Sequence, residues 1–120
     1  MDDEPSVRAL LERILTHLGY EVSSAANGAE GVERYREAHQ PGRGYVAAIL
    51  DLTVPGGMGG TEAIRLLREY DPAVEAVVSG GYSTGAVMAE YRSWGFQGMI
   101  AKPYTVQQLA RLLEQVLAEP

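Results

Sequence analysis

The run Tyr45-Val46-Ala47-Ala48-Ile49-Leu50-Asp51-Leu52, with its continuation Thr53-Val54-Pro55-Gly56-Gly57-Met58-Gly59-Gly60, constrains the fold more than any other stretch. Its first part is almost continuously apolar, as expected of a strand buried on both faces of a parallel sheet. Its second part holds a proline and four glycines, a composition that excludes the interior of a strand or helix. Asp51 is the only charge in the stretch and falls where strand gives way to loop. Open α/β sheets collect ligands outside the carboxyl ends of their strands. A carboxylate placed there is held by a rigid strand and remains open to solvent.

The rest of the chain alternates in a way that supports such a sheet. Val7, Leu10, Leu11, Ile14, Leu15 and Leu18 recur at helical spacing, with Pro5 suited to the first turn and Gly19 to the stop, predicting a helix over 6–18. Tyr20–Ala25 reads as a short strand, Asn27-Gly28 as a turn, and Ala29 to about His39 as a second helix. Gln40-Pro41-Gly42-Arg43-Gly44 is a loop leading into the Asp51 strand. A third helix spans Thr61–Tyr70 and is stopped by Asp71-Pro72. Ala73–Ser79 makes a strand, Thr84–Trp94 a fourth helix closed by Gly95, Gly98–Ala101 a short strand, and Thr105–Leu117 the last helix. Strands alternating with helices imply an α/β doubly wound parallel sheet covered on both sides.

Composition narrows the function. With 120 residues, one core and one domain over 1–120 are expected. The net charge of −6 argues against nucleic acid as a partner, since that binding depends on Lys and Arg neutralising phosphates. The absence of cysteine removes disulfides and thiolate chemistry. No apolar run approaches the roughly 20 residues a membrane span needs, and Met1-Asp2-Asp3-Glu4 lacks the basic start of a secretory signal. A cytoplasmic protein without a membrane partner is the expectation. His17 and His39 have no metal-ligand spacing, and no Gly-Lys-Ser/Thr follows the glycines of 56–60, which excludes a nucleotide P-loop.

Three predicted strands end in polar groups: Asp51, Ser79 and Lys102. Right-handed crossovers leave all parallel strand ends on one edge, so the three can converge. Asp2 and Asp3 precede the first helix and would join the same edge. Clustered carboxylates invite a hard divalent cation, and Mg²⁺ is held by one or two carboxylates with waters and phosphate oxygens. A carboxylate can also be the nucleophile in phosphoryl transfer, with a cation and a hydroxyl stabilising charge on the transferring group.

Asp2-Asp3, Asp51, Ser79 and Lys102-Pro103, in that order, resemble the receiver domain of two-component response regulators, and the resemblance covers essentially the whole chain after Met1. It implies a flavodoxin-like receiver fold whose usual first strand is missing or truncated, since only Met1 stands before the acid pair. It further implies Asp51 as phosphoacceptor from a histidine kinase or phosphotransfer domain, and Mg²⁺ held by Asp3 and Asp51 directly. Asp2 would reach the ion through water, and the Thr53 carbonyl would complete the set. Ser79 and Lys102 would respond to the phosphoryl group, and the bond to Pro103 would be cis. Met99 departs from the family, which often carries a switch aromatic there; Tyr82 or Tyr104 is a substitute. The wording around Ser79-Gly80-Gly81-Tyr82 and Lys102-Pro103-Tyr104 is similar to receivers of hybrid sensor histidine kinases, the alternative context. A degenerate, phosphorylation-independent docking module is a further alternative, and a homodimer is left open if another chain supplies the absent strand. An aspartate-nucleophile phosphatase generally places a second acid two residues after the nucleophile, where this chain has Thr53.

Overall fold

The computed structural model of the chain describes residues 1–39, 44–81 and 85–117. In chain order the elements are α1 (Pro5–His17), α2 (Gly28–His39), β1 (Ala48–Asp51), α3 (Gly60–Tyr70), β2 (Ala76–Gly80), α4 (Gly85–Ala89), α5 (Tyr91–Trp94), β3 (Gly98–Ala101) and α6 (Val106–Leu117). The strands form one parallel sheet in the order β1-β2-β3.

Side-chain alternation along the strands sorts the core into two layers. Leu50, Ala76 and Val78 pack with Tyr35 of α2, Ala63, Ile64 and Leu67 of α3, and Phe96. Val77 and Ile100 point the other way, onto Leu11 and Ile14 of α1 and Leu109, Leu113 and Val116 of α6. Helices therefore cover both faces of a parallel sheet, the flavodoxin-like arrangement. β2 lies in the middle and all five of its residues are buried, which is why its sequence carries no polar side chain before Ser79.

The strand expected from Tyr45 begins at Ala48, and three further boundaries differ from the sequence reading. Tyr20–Ala25, expected as a strand, joins no ladder. A strand needs a neighbour, and the position between this run and β1 is filled only at one end. There Met1 bonds to β1, through its amino group to Ile49 O at 2.7 Å and its carbonyl to Asp51 N at 3.0 Å, while Asp2 N donates to Ala25 O at 3.1 Å. The expected fourth helix is broken at Glu90 into α4 and α5. Both the N–H and the hydroxyl of Ser93 donate to Glu90 O, at 3.0 and 2.7 Å, a local bond that competes with the helical pattern. The strand expected over 73–79 begins later, at Ala76, because Asp71 accepts from the backbone of Ala73 and holds 71–74 in a turn. Of the loop expected over 40–44, residues 40–43 lie outside the described residues, as do Tyr82 and the start of the fourth helix at Thr84.

Candidate functional site

Register brings the strand ends together. Asp51 is the Cα partner of Ser79 across β1 and β2. Gly80 pairs with Ala101 across β2 and β3, and Lys102 N donates to Gly80 O at 2.8 Å. Asp51, Ser79 and Lys102 thus end three adjacent strands on one edge. Asp51 and Ser79 are buried, 4% and 1% exposed, and Asp2 is 1% exposed beside them.

The acid pair is held by backbone rather than by a strand of its own. Besides the Met1 and Asp2 bonds to β1 and Ala25, Arg8 Nη1 donates to Asp2 O at 2.7 Å, and Glu4 N donates to Asp2 Oδ1 at 3.0 Å. Arg8 was not singled out from the sequence. The signal for it is a cation in the first turn of α1, following a short acidic turn that ends in Pro5. Beyond Asp51, the chain doubles back tightly. Thr53 N reaches Asp51 Oδ1 at 3.4 Å, and Gly60 N donates to Leu52 O at 3.3 Å. A Cβ on Gly60 would stand 3.0 Å from Asp51 O, and one on Gly59 would collide with Leu52 O. Glycine is required at both positions because the start of α3 passes directly over the strand end.

Electrostatics centre on Lys102. Its Nζ lies 2.8 Å from Asp2 Oδ2 and 3.4 Å from Asp51 Oδ2. Burial pushes the Asp51 carboxyl up to about 6, the Asp2 charge adds to this, and Lys102 and the Thr53 N–H pull against it. Burial acts to lower the Lys102 ammonium, but its bond to Asp2 and the two carboxylate charges outweigh that and hold it above its ordinary value. Tyr104 is pushed up to about 12, chiefly by burial, and its hydroxyl has no hydrogen-bond partner among the described residues.

One oxygen from each of Asp2, Asp3 and Asp51 can be chosen so that all lie within 4.8 Å of one another. An all-oxygen anionic donor set of this size fits a hard cation such as Mg²⁺. Thr53 follows on the exposed start of the loop. The Lys102–Pro103 bond is cis. Met99 is half-buried and packs into the α2–α3 layer. Phe96 is buried, whereas Trp94 is 44% exposed.

Fold and site together define a class: a parallel α/β domain with an acidic pocket at the strand ends, a buried central aspartate, and a lysine held across two carboxylates. The chain belongs to the response regulator receiver domain family, whose model matches residues 1–114. It is 31% identical over 117 residues to the chemotaxis protein CheY of Thermotoga maritima, covering 97% of this chain and 92% of that protein. It is 29% identical over 117 residues to the sensor kinase CckA of Brucella abortus, covering 98% of this chain but 12% of the kinase. The fold superposes on the crystal structure of the receiver domain of NtrX from Brucella abortus with a TM-score of 0.88, at 21% identity and covering 99% and 96% of the two chains. Receiver domains of this family serve two-component signalling and bind Mg²⁺ at an acidic pocket. Among the described residues no helix is long and apolar enough to cross a membrane.

Proposed function

We propose that residues 1–120 act as a phosphoacceptor receiver, taking a phosphoryl group from a histidine kinase or phosphotransfer domain onto Asp51. The observation that carries this reading is the placing of Asp51 beside Ser79 in register, with Lys102 Nζ 3.4 Å from its carboxylate and the Asp2–Asp3 oxygens alongside. In the transfer, an Asp51 oxygen bonds to phosphorus as the bond from phosphorus to the donor imidazole nitrogen breaks. The electron pair stays on that nitrogen, which takes up a proton from water. A carboxyl titrating at about 6 is ionised, and so nucleophilic, at neutral pH. Asp3, Asp51 and the Thr53 carbonyl, with Asp2 beside them, would hold Mg²⁺, which would neutralise phosphoryl charge. Lys102, freed from Asp51 by the new acyl phosphate, turns its ammonium to the phosphoryl oxygens, and the Ser79 hydroxyl donates a hydrogen bond to them.

The test is intact mass after incubation with acetyl phosphate and Mg²⁺, for the native chain and for Asp51→Asn. A Mg²⁺-dependent phosphate adduct lost in the variant supports the reading; no adduct at any Mg²⁺ concentration supports a docking module that works without phosphorylation. A second reading, that the domain is the receiver module of a hybrid sensor kinase, is supported by the match to CckA. Phosphotransfer from such a kinase, in preference to stand-alone kinases, distinguishes it.

A further inference from the structure

Among the described residues, two buried side-chain polar atoms lack a hydrogen-bond partner, Glu75 Oε2 and the hydroxyl of Tyr104. Only the hydroxyl is a donor. Buried donors are nearly always filled, because an empty one costs the desolvation of the group. The transfer at Asp51 gives Tyr104 no task. Yet it follows Lys102 by two residues and feels the same site, where the Asp2 and Asp51 charges act on the phenol in one direction and Lys102 in the other.

Alternation places these groups on one face of the sheet. Ile100 of β3 packs toward α1 and α6, and Lys102 follows two residues on. Leu50 packs toward α2 and α3, so its neighbour Asp51 turns to the α1–α6 face. Met1 also packs into the α2–α3 layer, and Asp2 after it turns the other way. The Tyr104 ring packs against the layer that holds Leu11, Ile14 and Leu109, on that same face.

What the Tyr104 hydroxyl lacks is a free acceptor. Asp2 Oδ1 accepts from Glu4 N at 3.0 Å, and Asp2 Oδ2 accepts from Lys102 Nζ at 2.8 Å. Arg8 is committed to the Asp2 carbonyl at 2.7 Å. Asp2 is 1% exposed, so little bulk water reaches an oxygen there that loses its partner. Phosphorylation of Asp51 frees one such oxygen, because Lys102 then turns its ammonium to the phosphoryl group.

We propose that Tyr104 is a positioning residue of the phosphorylated state, its hydroxyl donating to Asp2 Oδ2 as Lys102 leaves that oxygen. This rests on the Asp51 reading and deepens it. The donor is empty before transfer and filled after it, so the bond favours the phosphorylated form alone.

The experiment compares the 120-residue chain with Tyr104→Phe, which removes only the hydroxyl. Beryllium fluoride with Mg²⁺ is the probe, since the trifluoride on a carboxylate oxygen has the shape of a phosphoryl group. Calorimetry should show it binding about tenfold more weakly to the variant, as loss of one hydrogen bond to a charged acceptor implies. Mg²⁺ alone should bind both proteins equally. Metal-free urea unfolding should leave the variant at least as stable, because the hydroxyl it loses had no partner. Lys102 is the only lysine in the chain, so isotopic labelling of lysine nitrogen gives one ammonium signal, which should move when the fluoride binds. Equal fluoride affinity in the two proteins would overturn the proposal. So would an equal loss of affinity for Mg²⁺ alone, which makes Tyr104 a structural residue, or a Lys102 signal that stays in place, since Asp2 is then never vacated. Each of these leaves the Asp51 assignment standing. A native chain that takes up no more fluoride than Asp51→Asn would overturn that assignment and the proposal with it.

Discussion

Replacing Asp51 by Asn should stabilise the metal-free protein at neutral pH. The native carboxylate is buried beside Asp2, and its titration moves from an ordinary 3.8 to about 6. At about 1.36 kcal/mol per pH decade this corresponds to about 3 kcal/mol against the ionised form. Asn keeps the size of the side chain and an oxygen to accept from Thr53 N, and Lys102 retains Asp2 at 2.8 Å. That shift already includes the Lys102 and Thr53 attractions, so a net increase of about 1–3 kcal/mol is expected, the lower end allowing for what the Asn amide itself costs at a buried site. The sign follows from proton binding. Between pH 3.8 and 6 the folded state holds the Asp51 proton more tightly than the unfolded chain does. Native stability therefore falls as pH rises through that window and levels off above it. The variant lacks this slope, so its advantage opens across the window and is complete above about pH 6. Urea unfolding in EDTA at pH 4.5 and 7.5 measures the gap, and added Mg²⁺ should narrow it by stabilising only the native chain. An Asp51→Asn protein that is less stable at pH 7.5 without metal, or a gap equal at both pH values, would refute the reasoning.

Lys102→Met leaves buried Asp2 without its ammonium partner and should cost about 1–3 kcal/mol in metal-free buffer. Mg²⁺ should restore much of that, and isothermal titration should show tighter Mg²⁺ binding once the competing cation is gone. Tyr35→Phe removes the bond from the phenol to Asp71 Oδ2 at 2.8 Å, which ties α2 to the end of α3. A loss of about 1.5–3 kcal/mol in urea unfolding is expected for a hydrogen bond to a charged acceptor. Gly59→Ala drives a methyl into Leu52 O. About 1–3 kcal/mol of destabilisation should follow, with a thermal melt as readout and altered amide shifts centred on residues 51–60.

Asp51, Ser79 and Lys102 were legible in the chain because each ends an apolar run, and strand ends in a parallel sheet share an edge whatever the details of packing. The helices over 6–18, 61–70 and 105–117 were legible for a similar local reason, since their apolar stripes repeat at the helical period. What failed was anything that needed a neighbour. Tyr20–Ala25 has the composition of a strand, but strands are made by partners, and Asp2 bonds to it at its last residue while Met1 bonds to β1. The break at Glu90 came from a serine hydroxyl choosing a carbonyl three residues back. The grip of Arg8 on Asp2, the lysine held between two acids and the upward push on Asp51 depend on distances of a few ångströms between residues as far as 100 positions apart. Local patterning sets which backbone each segment prefers, so order, elements and strand ends can be read from one dimension. Burial and charge coupling are properties of surfaces brought together, and they exist only once the chain has folded.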